Sequence, residues 1–267
     1  MYCKLKSNRQ PGVTLIIFIY LTLLFVFNLS LFFSCSSTSN RRHNDRVKNE
    51  IAISEELKSL ARGKEIWMDP NTGTNGFSCE SCHENGFLTN AEMYPRYKHI
   101  LRTMATLSIT HNFAVVKESR GKPWKIGSYD ANALTLYVTS LANGKRLSIS
   151  EPLTYSKMWI KRGKAVFDDP SIGTNKLSCG SCHQKGDQNK QAPQGRIASN
   201  LKGVPAIYPR YSFEQKEVIT LEQQINLCIE KKLNGSPLPL DSEPIVALCC
   251  YLANLSKGRK IAVAKLE

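Results

Sequence analysis

The stretch Cys79-Glu80-Ser81-Cys82-His83 returns 100 residues later as Cys179-Gly180-Ser181-Cys182-His183. C-x-x-C-H is the attachment pattern of c-type haem. Two thiols three positions apart sit about one helical turn from each other and can bond to both vinyl groups of one macrocycle. The histidine that follows is then carried onto the iron. One copy alone could equally be a zinc half-site or a redox dithiol. Two copies in like surroundings point to two covalently attached haem c groups, one on Cys79, Cys82 and His83 and one on Cys179, Cys182 and His183.

Outward from the pentapeptides the chain repeats itself. Arg62-Gly63-Lys64-Glu65-Ile66-Trp67-Met68-Asp69-Pro70 matches Arg162-Gly163-Lys164-Ala165-Val166-Phe167-Asp168-Asp169-Pro170 at the same offset of 100, as Gly73-Thr74-Asn75 matches Gly173-Thr174-Asn175. Downstream, Tyr94-Pro95-Arg96-Tyr97 matches Tyr208-Pro209-Arg210-Tyr211 at an offset of 114, which then holds through Asn112/Asn226, Gly121/Gly235 and Tyr137/Tyr251. The added length falls in the polar stretch 185–200. Two tandem domains are expected, 52–150 and 151–267. Each should comprise an opening helix (54–68 in the first), a haem loop, a middle helix, and a closing helix (130–142 and 242–255). Apolar rows such as Leu134, Tyr137, Val138, Leu141 and Ile245, Leu248, Leu252, Leu255 carry the closing helices. No strand-like alternation competes, so the expected class is all-α. The layout resembles the class I cytochrome c fold, whose terminal helices cross beside the haem.

Residues 1–34 read as a signal peptide or membrane anchor: Lys4, Lys6 and Arg9 precede an apolar run from Val13 to Phe33. Leu31-Phe32-Phe33-Ser34-Cys35 resembles a bacterial lipoprotein signal, with Cys35 as the lipidated residue; an uncleaved span is the alternative. Residues 35–51, rich in Ser, Asn and Arg, read as a flexible tether. Either route puts the globular part outside the cytoplasm, on the periplasmic side of a membrane. The net charge of +14 falls to +11 without residues 1–34. Such a surface suits an acidic redox partner, and no nucleic-acid motif accompanies it. Of nine cysteines, Cys228, Cys249 and Cys250 remain once Cys3, Cys35 and the four haem cysteines are assigned, an odd number that cannot pair fully.

A six-coordinate iron needs a distal ligand. Cys228 lies in Thr220-Leu221-Glu222-Gln223-Gln224-Ile225-Asn226-Leu227-Cys228, a helical stretch capped by Thr220. Together with Leu233-Asn234-Gly235-Ser236-Pro237 and Ala247-Leu248-Cys249-Cys250-Tyr251-Leu252-Ala253-Asn254, it resembles the SoxA-type haem subunits of bacterial sulfur oxidation and the thiosulfate dehydrogenases. The resemblance implies a His183/Cys228-ligated second haem and, if the protein is an enzyme, a catalytic Cys228. It also implies two substrate arginines, where this chain has Gln224 and Glu214; replacing cations with a neutral group and an anion opposes binding of a dianion. Arg210 and Lys216 are the cations nearby. In the first copy Ala114 stands at the position of Cys228. His111, one helical turn earlier, is the leading distal ligand there, with Met104 the alternative and His99 behind both. Cys249 and Cys250, on a closing helix, read as core. The expected function is one-electron transfer between two unlike haems; the alternative is oxidation of a sulfur compound such as thiosulfate at the second. A redox sensor or non-catalytic subunit is a third reading.

Overall fold

The structure is a computed structural model and describes residues 42–149, 154–183, 191–192, 196–197 and 201–264. The segment read as signal or anchor and Cys35 lie outside the described residues. Among those described, no helix is long and apolar enough to cross a membrane. The chain divides into two units, 1–51 and 52–267.

In the first unit the described residues, 42–51, are helical and largely exposed, with Arg46 and Glu50 paired one turn apart at 3.5 Å. This corrects the tether reading for those residues. Their Arg, Asp, Lys and Glu side chains can support a helix by i,i+4 pairing although they offer no apolar stripe. In the second unit helical structure (α1) runs over 52–68, so Ser54 is internal to it and not its cap.

The second unit continues with α2 (Cys79–Cys82), a hairpin of β1 (Arg96–Lys98) and β2 (Thr103–Ala105), α3 (Leu107–Lys117) and α4 (Tyr129–Ser140). The second copy follows as α5 (Thr154–Asp168), α6 (Cys179–Cys182), a short pair β3 (Gln191–Ala192) and β4 (Arg196–Ile197), a hairpin of β5 (Arg210–Ser212) and β6 (Glu217–Ile219), α7 (Leu221–Leu233) and α8 (Glu243–Leu255). The mostly helical, cytochrome c-like class is as expected. The hairpins are not. Each strand is two or three residues long, too short for a period-of-two pattern to register. In the longer hairpins Tyr97 pairs with Met104 and Tyr211 with Val218, at the repeat offset.

The opening and closing helices of each copy cross at a glycine. A Cβ on Gly63 would lie 2.0 Å from the Ala133 carbonyl oxygen, and one on Gly163 would lie 1.9 Å from that of Ala247. Backbones this close leave no room for any other residue. Arg62 clamps the first crossing from outside through a two-bond pair with Asp130, both at 2.9 Å, and Arg162 approaches Glu243 at 3.2 Å in the second. The middle helices are tied down alike. Asn112 brackets the Trp124 backbone at 2.7 and 3.0 Å, and Asn226 brackets that of Leu238 at the same two distances.

The two copies share their interior. Ile66, Trp67, Leu134, Leu136 and Val138 of the first are packed in one cluster with Val218, Ala253, Ile261 and Val263 of the second. The Asn132 amide donates to the Val218 carbonyl at 2.9 Å, and Gln223 donates to that of Gly127 at 3.2 Å. The last described residues cross back: Ile261 N–H bonds to the Lys145 carbonyl, Gly144 N–H to that of Ile261, and Asn143 exchanges two bonds with Val263.

Candidate functional site

Each pentapeptide is presented by a short helix whose cap is built from the same two serines. Ser78 accepts from Ser81 N–H at 3.2 Å while Ser81 Oγ accepts from Ser78 N–H at 3.2 Å; Ser178 and Ser181 repeat this at 3.1 and 3.0 Å. This reciprocal capping box stabilises a helix too short to persist unaided and fixes the two cysteines one turn apart. The loop before each is held by an asparagine. Asn75 caps Phe77 N–H and donates to the Glu118 carbonyl, while Asn175 does so for Leu177 N–H and the Lys232 carbonyl.

In the first copy His83 donates from Nδ1 to the Phe87 carbonyl at 2.9 Å. That bond selects the tautomer and leaves Nε2 as the available lone pair, the arrangement a proximal ligand requires. Trp67 lies 5.9 Å from the His83 ring and donates through its indole N–H to Glu80, which also accepts from Asn85 N–H. In the second copy Gly180 and Phe167 stand at the positions of Glu80 and Trp67. Phe167 packs on Tyr251 at 5.1 Å, as Trp67 packs on Tyr137 at 5.9 Å.

His111 is a half-buried ring on α3 whose Nδ1 is 3.4 Å from Thr135 Oγ1. Its pKa is pushed down to about 3, chiefly by desolvation, then by Lys98 and by His83. It therefore stays neutral with a lone pair to offer, within electrostatic reach of the imidazole it would face. Met104, the alternative, is 1% exposed and packed with Trp159, Val246, Ala247 and Cys250 of the second copy. That is a core role, and it leaves His111 as the better-placed candidate. His99 is exposed, with its ring against Tyr97.

Cys228 is half-buried on α7, and the seven described cysteines are all free thiols. Gln224, one turn earlier, donates from Nε2 to the Cys228 sulfur at 3.6 Å and accepts from the Tyr208 hydroxyl at 2.9 Å. Sequence reading treats Gln224 only as a missing cation. Its contact to sulfur was missed, although its i,i+4 spacing from Cys228 is visible in the chain. Burial pushes the Cys179 thiol up to about 11, with Cys228 adding to the effect, so the two sulfurs lie within electrostatic reach of each other. Arg210 places its guanidinium 5.7 Å from the Tyr208 ring centre, whereas Glu214 and Lys216 are exposed. Cys249 and Cys250 are buried in separate clusters, as expected of core residues.

The donors fit haem c. Phe77, Phe87 and Leu88 stand 57%, 66% and 62% exposed beside the first pentapeptide, an apolar wall a porphyrin would cover. His83 and His111, like Cys179 and Cys228, approach from different elements. Among the described residues no three His, Cys, Asp or Glu side chains converge as a metal site.

The SoxA/TsdA cytochrome c domain profile matches residues 62–147 and again 162–261, one match per copy. The SoxA subunit of the L-cysteine S-thiosulfotransferase of Hydrogenobacter thermophilus is 26% identical over 228 residues, 83% of this chain and 85% of that protein. The thiosulfate dehydrogenase of Allochromatium vinosum is 34% identical over 106 residues, 37% of this chain and 38% of that protein. Among solved structures, SoxXA from P. pantotrophus superposes with a TM-score of 0.66 at 17% identity, covering 78% of this chain and 77% of that one.

Proposed function

Since this chain belongs to the SoxA/TsdA cytochrome c family, a haem-containing group of sulfur-oxidation cytochromes, we propose that it is an extracytoplasmic dihaem subunit that oxidises a sulfur compound at its second site. Composition and motifs alone put one-electron carriage first; family membership reverses that order. Two cytochrome c-like domains, 52–150 and 151–267, each hold one haem c. Cys79, Cys82 and His83 would hold the first, with His111 as its further ligand. Cys179, Cys182 and His183 would hold the second, with Cys228 as its further ligand. When bound, haem c supplies reversible one-electron exchange.

The observation that carries this reading is Cys228: a half-buried free thiol on α7, in the second family match, with Gln224 donating to its sulfur and Tyr208 donating to Gln224. Similarity over 83% of this chain to an L-cysteine S-thiosulfotransferase subunit favours joining a thiosulfate sulfur to a cysteine thiol over coupling two thiosulfates. That reaction forms one S–S bond and releases one proton and two electrons. The electrons leave through a redox partner, for which the two-protein SoxXA assembly is the precedent; a surface of net charge +11 suits one that is acidic. Neutral Gln224, in place of a cation, fits a site where the partner supplies part of the anion's recognition.

The test is thiosulfate consumption by the haem-loaded protein with a thiol acceptor and an artificial electron acceptor, alone and with a candidate partner. Activity lost in Cys228→Ala supports the proposal. A protein that cycles between oxidation states yet consumes no sulfur compound under any of these conditions is an electron carrier.

A further inference from the structure

Gln224 is on the same face of α7 as Cys228, one turn earlier, and its amide has two different ends. The oxygen accepts from Tyr208 Oη at 2.9 Å and the nitrogen donates to Cys228 Sγ at 3.6 Å. A thiolate at Cys228 has no proton to give, so an amide turned the other way would set its oxygen against the sulfur lone pairs. By donating to the amide oxygen, the tyrosine hydroxyl holds the amide in the orientation the thiolate requires. Tyr208 is suited to this, because burial raises its pKa above the ordinary phenol value, against the opposing charge of Arg210 and with Cys228 adding to the rise, and so keeps the proton in place. Its ring is held by the Arg210 guanidinium at 5.7 Å, and its chain neighbour Pro209 is buried. The first copy has no such chain. Thr110 occupies the position of Gln224 and turns its hydroxyl back to the Thr106 carbonyl at 3.0 Å, and Ala114 occupies that of Cys228.

We propose that Tyr208 and Gln224 are positioning residues for the Cys228 sulfur: the tyrosine hydroxyl locks the amide, and the amide's hydrogen bond to sulfur raises the reduction potential of the second haem. The inference rests on Cys228 being the axial ligand. A donor at a thiolate draws charge from the sulfur, weakens its donation to iron and disfavours the ferric state relative to the ferrous. Removing the donor shifts the balance toward ferric.

Optical redox titration of the haem-loaded protein, with EPR to assign the second haem, tests this in Tyr208→Phe, Gln224→Leu and the double variant. The wild-type protein is expected to show a low-spin thiolate-type signal. Each single variant should raise the ferric-to-ferrous ratio of that haem at fixed potential up to about tenfold, or about 59 mV for one electron. The double variant should move it no further than Gln224→Leu, and the first haem should not move. If the thiolate signal is present but either single variant leaves the ratio unchanged, or the two effects add, the relay is wrong while Cys228 ligation stands. If wild type lacks the signal, the ligation reading falls and the relay with it. Tyr208→Phe removes one oxygen without changing shape, so it decides the matter where Gln224→Leu fails to mature.

Discussion

At the scale of single residues, the middle helices of the two copies differ at three aligned positions around the candidate ligands: Thr110, His111 and Ala114 in the first, Gln224, Ile225 and Cys228 in the second. His111 has no counterpart in the second copy, and Cys228 none in the first. Replacing His111 with Ala is expected to convert the first haem from low to high spin by EPR while the thiolate-type signal persists. Replacing Cys228 with Ala should abolish that second signal alone. A His111→Ala protein with an unchanged spectrum would remove His111 from the iron. The attachment residues are legible in the chain because covalent chemistry dictates their spacing. The candidate distal residues are legible only through the family resemblance, for Cys228, and the repeat, for His111, since a ligand is chosen by where a helix faces. Met104 shows the limit. It is chemically able to ligate iron, and only packing against Trp159 and Val246 makes it a core residue.

At the scale of elements, the two glycine crossings decide whether each copy closes. Gly63→Ala and Gly163→Ala place a methyl about 2 Å from a backbone oxygen, an overpacking that backbone cannot relieve cheaply. Each should cost roughly 3 kcal/mol or more, read as a fall in thermal midpoint with haem content monitored. The clamp beside the first crossing is titratable. The hydrogen bonds from Arg62 hold the Asp130 carboxyl below its ordinary range. A depressed carboxyl contributes fully above its unfolded value, about pH 4, and its contribution is lost as the pH falls through the lower folded value. Asp130→Asn should therefore melt below wild type at neutral pH, and the gap should close on acidification. With both side chains 42% exposed, the effect is that of a surface pair, about 1 kcal/mol or less. Helical periodicity gave away the closing helices to within a residue or two. It could not give the hairpins, nor the helical residues 42–51, where charge pairing replaces the apolar stripe.

At the scale of the whole molecule, residues 52–267 are one compact unit and not two separable beads. Ile261 and Val263, each 2% exposed, lie in the same cluster as Ile66, Trp67 and Leu134. Ending the chain after Lys257 should lower the thermal midpoint and strip hydrogen-exchange protection from the amides of Gly144 and Leu147, which donate to the Ile261 and Arg259 carbonyls. An unaltered exchange pattern there would show the tail to be dispensable. No reading of the repeat anticipates this seam, because a repeat shows what each copy contains and not what it borrows. A cavity of about 80 Å³ at the seam is lined by the equivalent tyrosines Tyr94 and Tyr208, with Glu222 and Cys249. Beyond the described residues, Cys35→Ser should release the protein from the membrane fraction if Cys35 is lipidated; a protein that stays bound is held by its apolar segment.

The returning tail also sets an order of events. A chain made from its N-terminus presents Cys79 and Cys82 long before it presents Ile261 and Val263. Until those last residues arrive, the interior around Trp67 and Leu134 lacks two of its apolar members and stays open. An enzyme joining a macrocycle to the first pentapeptide before residues 261–263 are in place would meet an unlatched structure, with that segment the latch that shuts behind it.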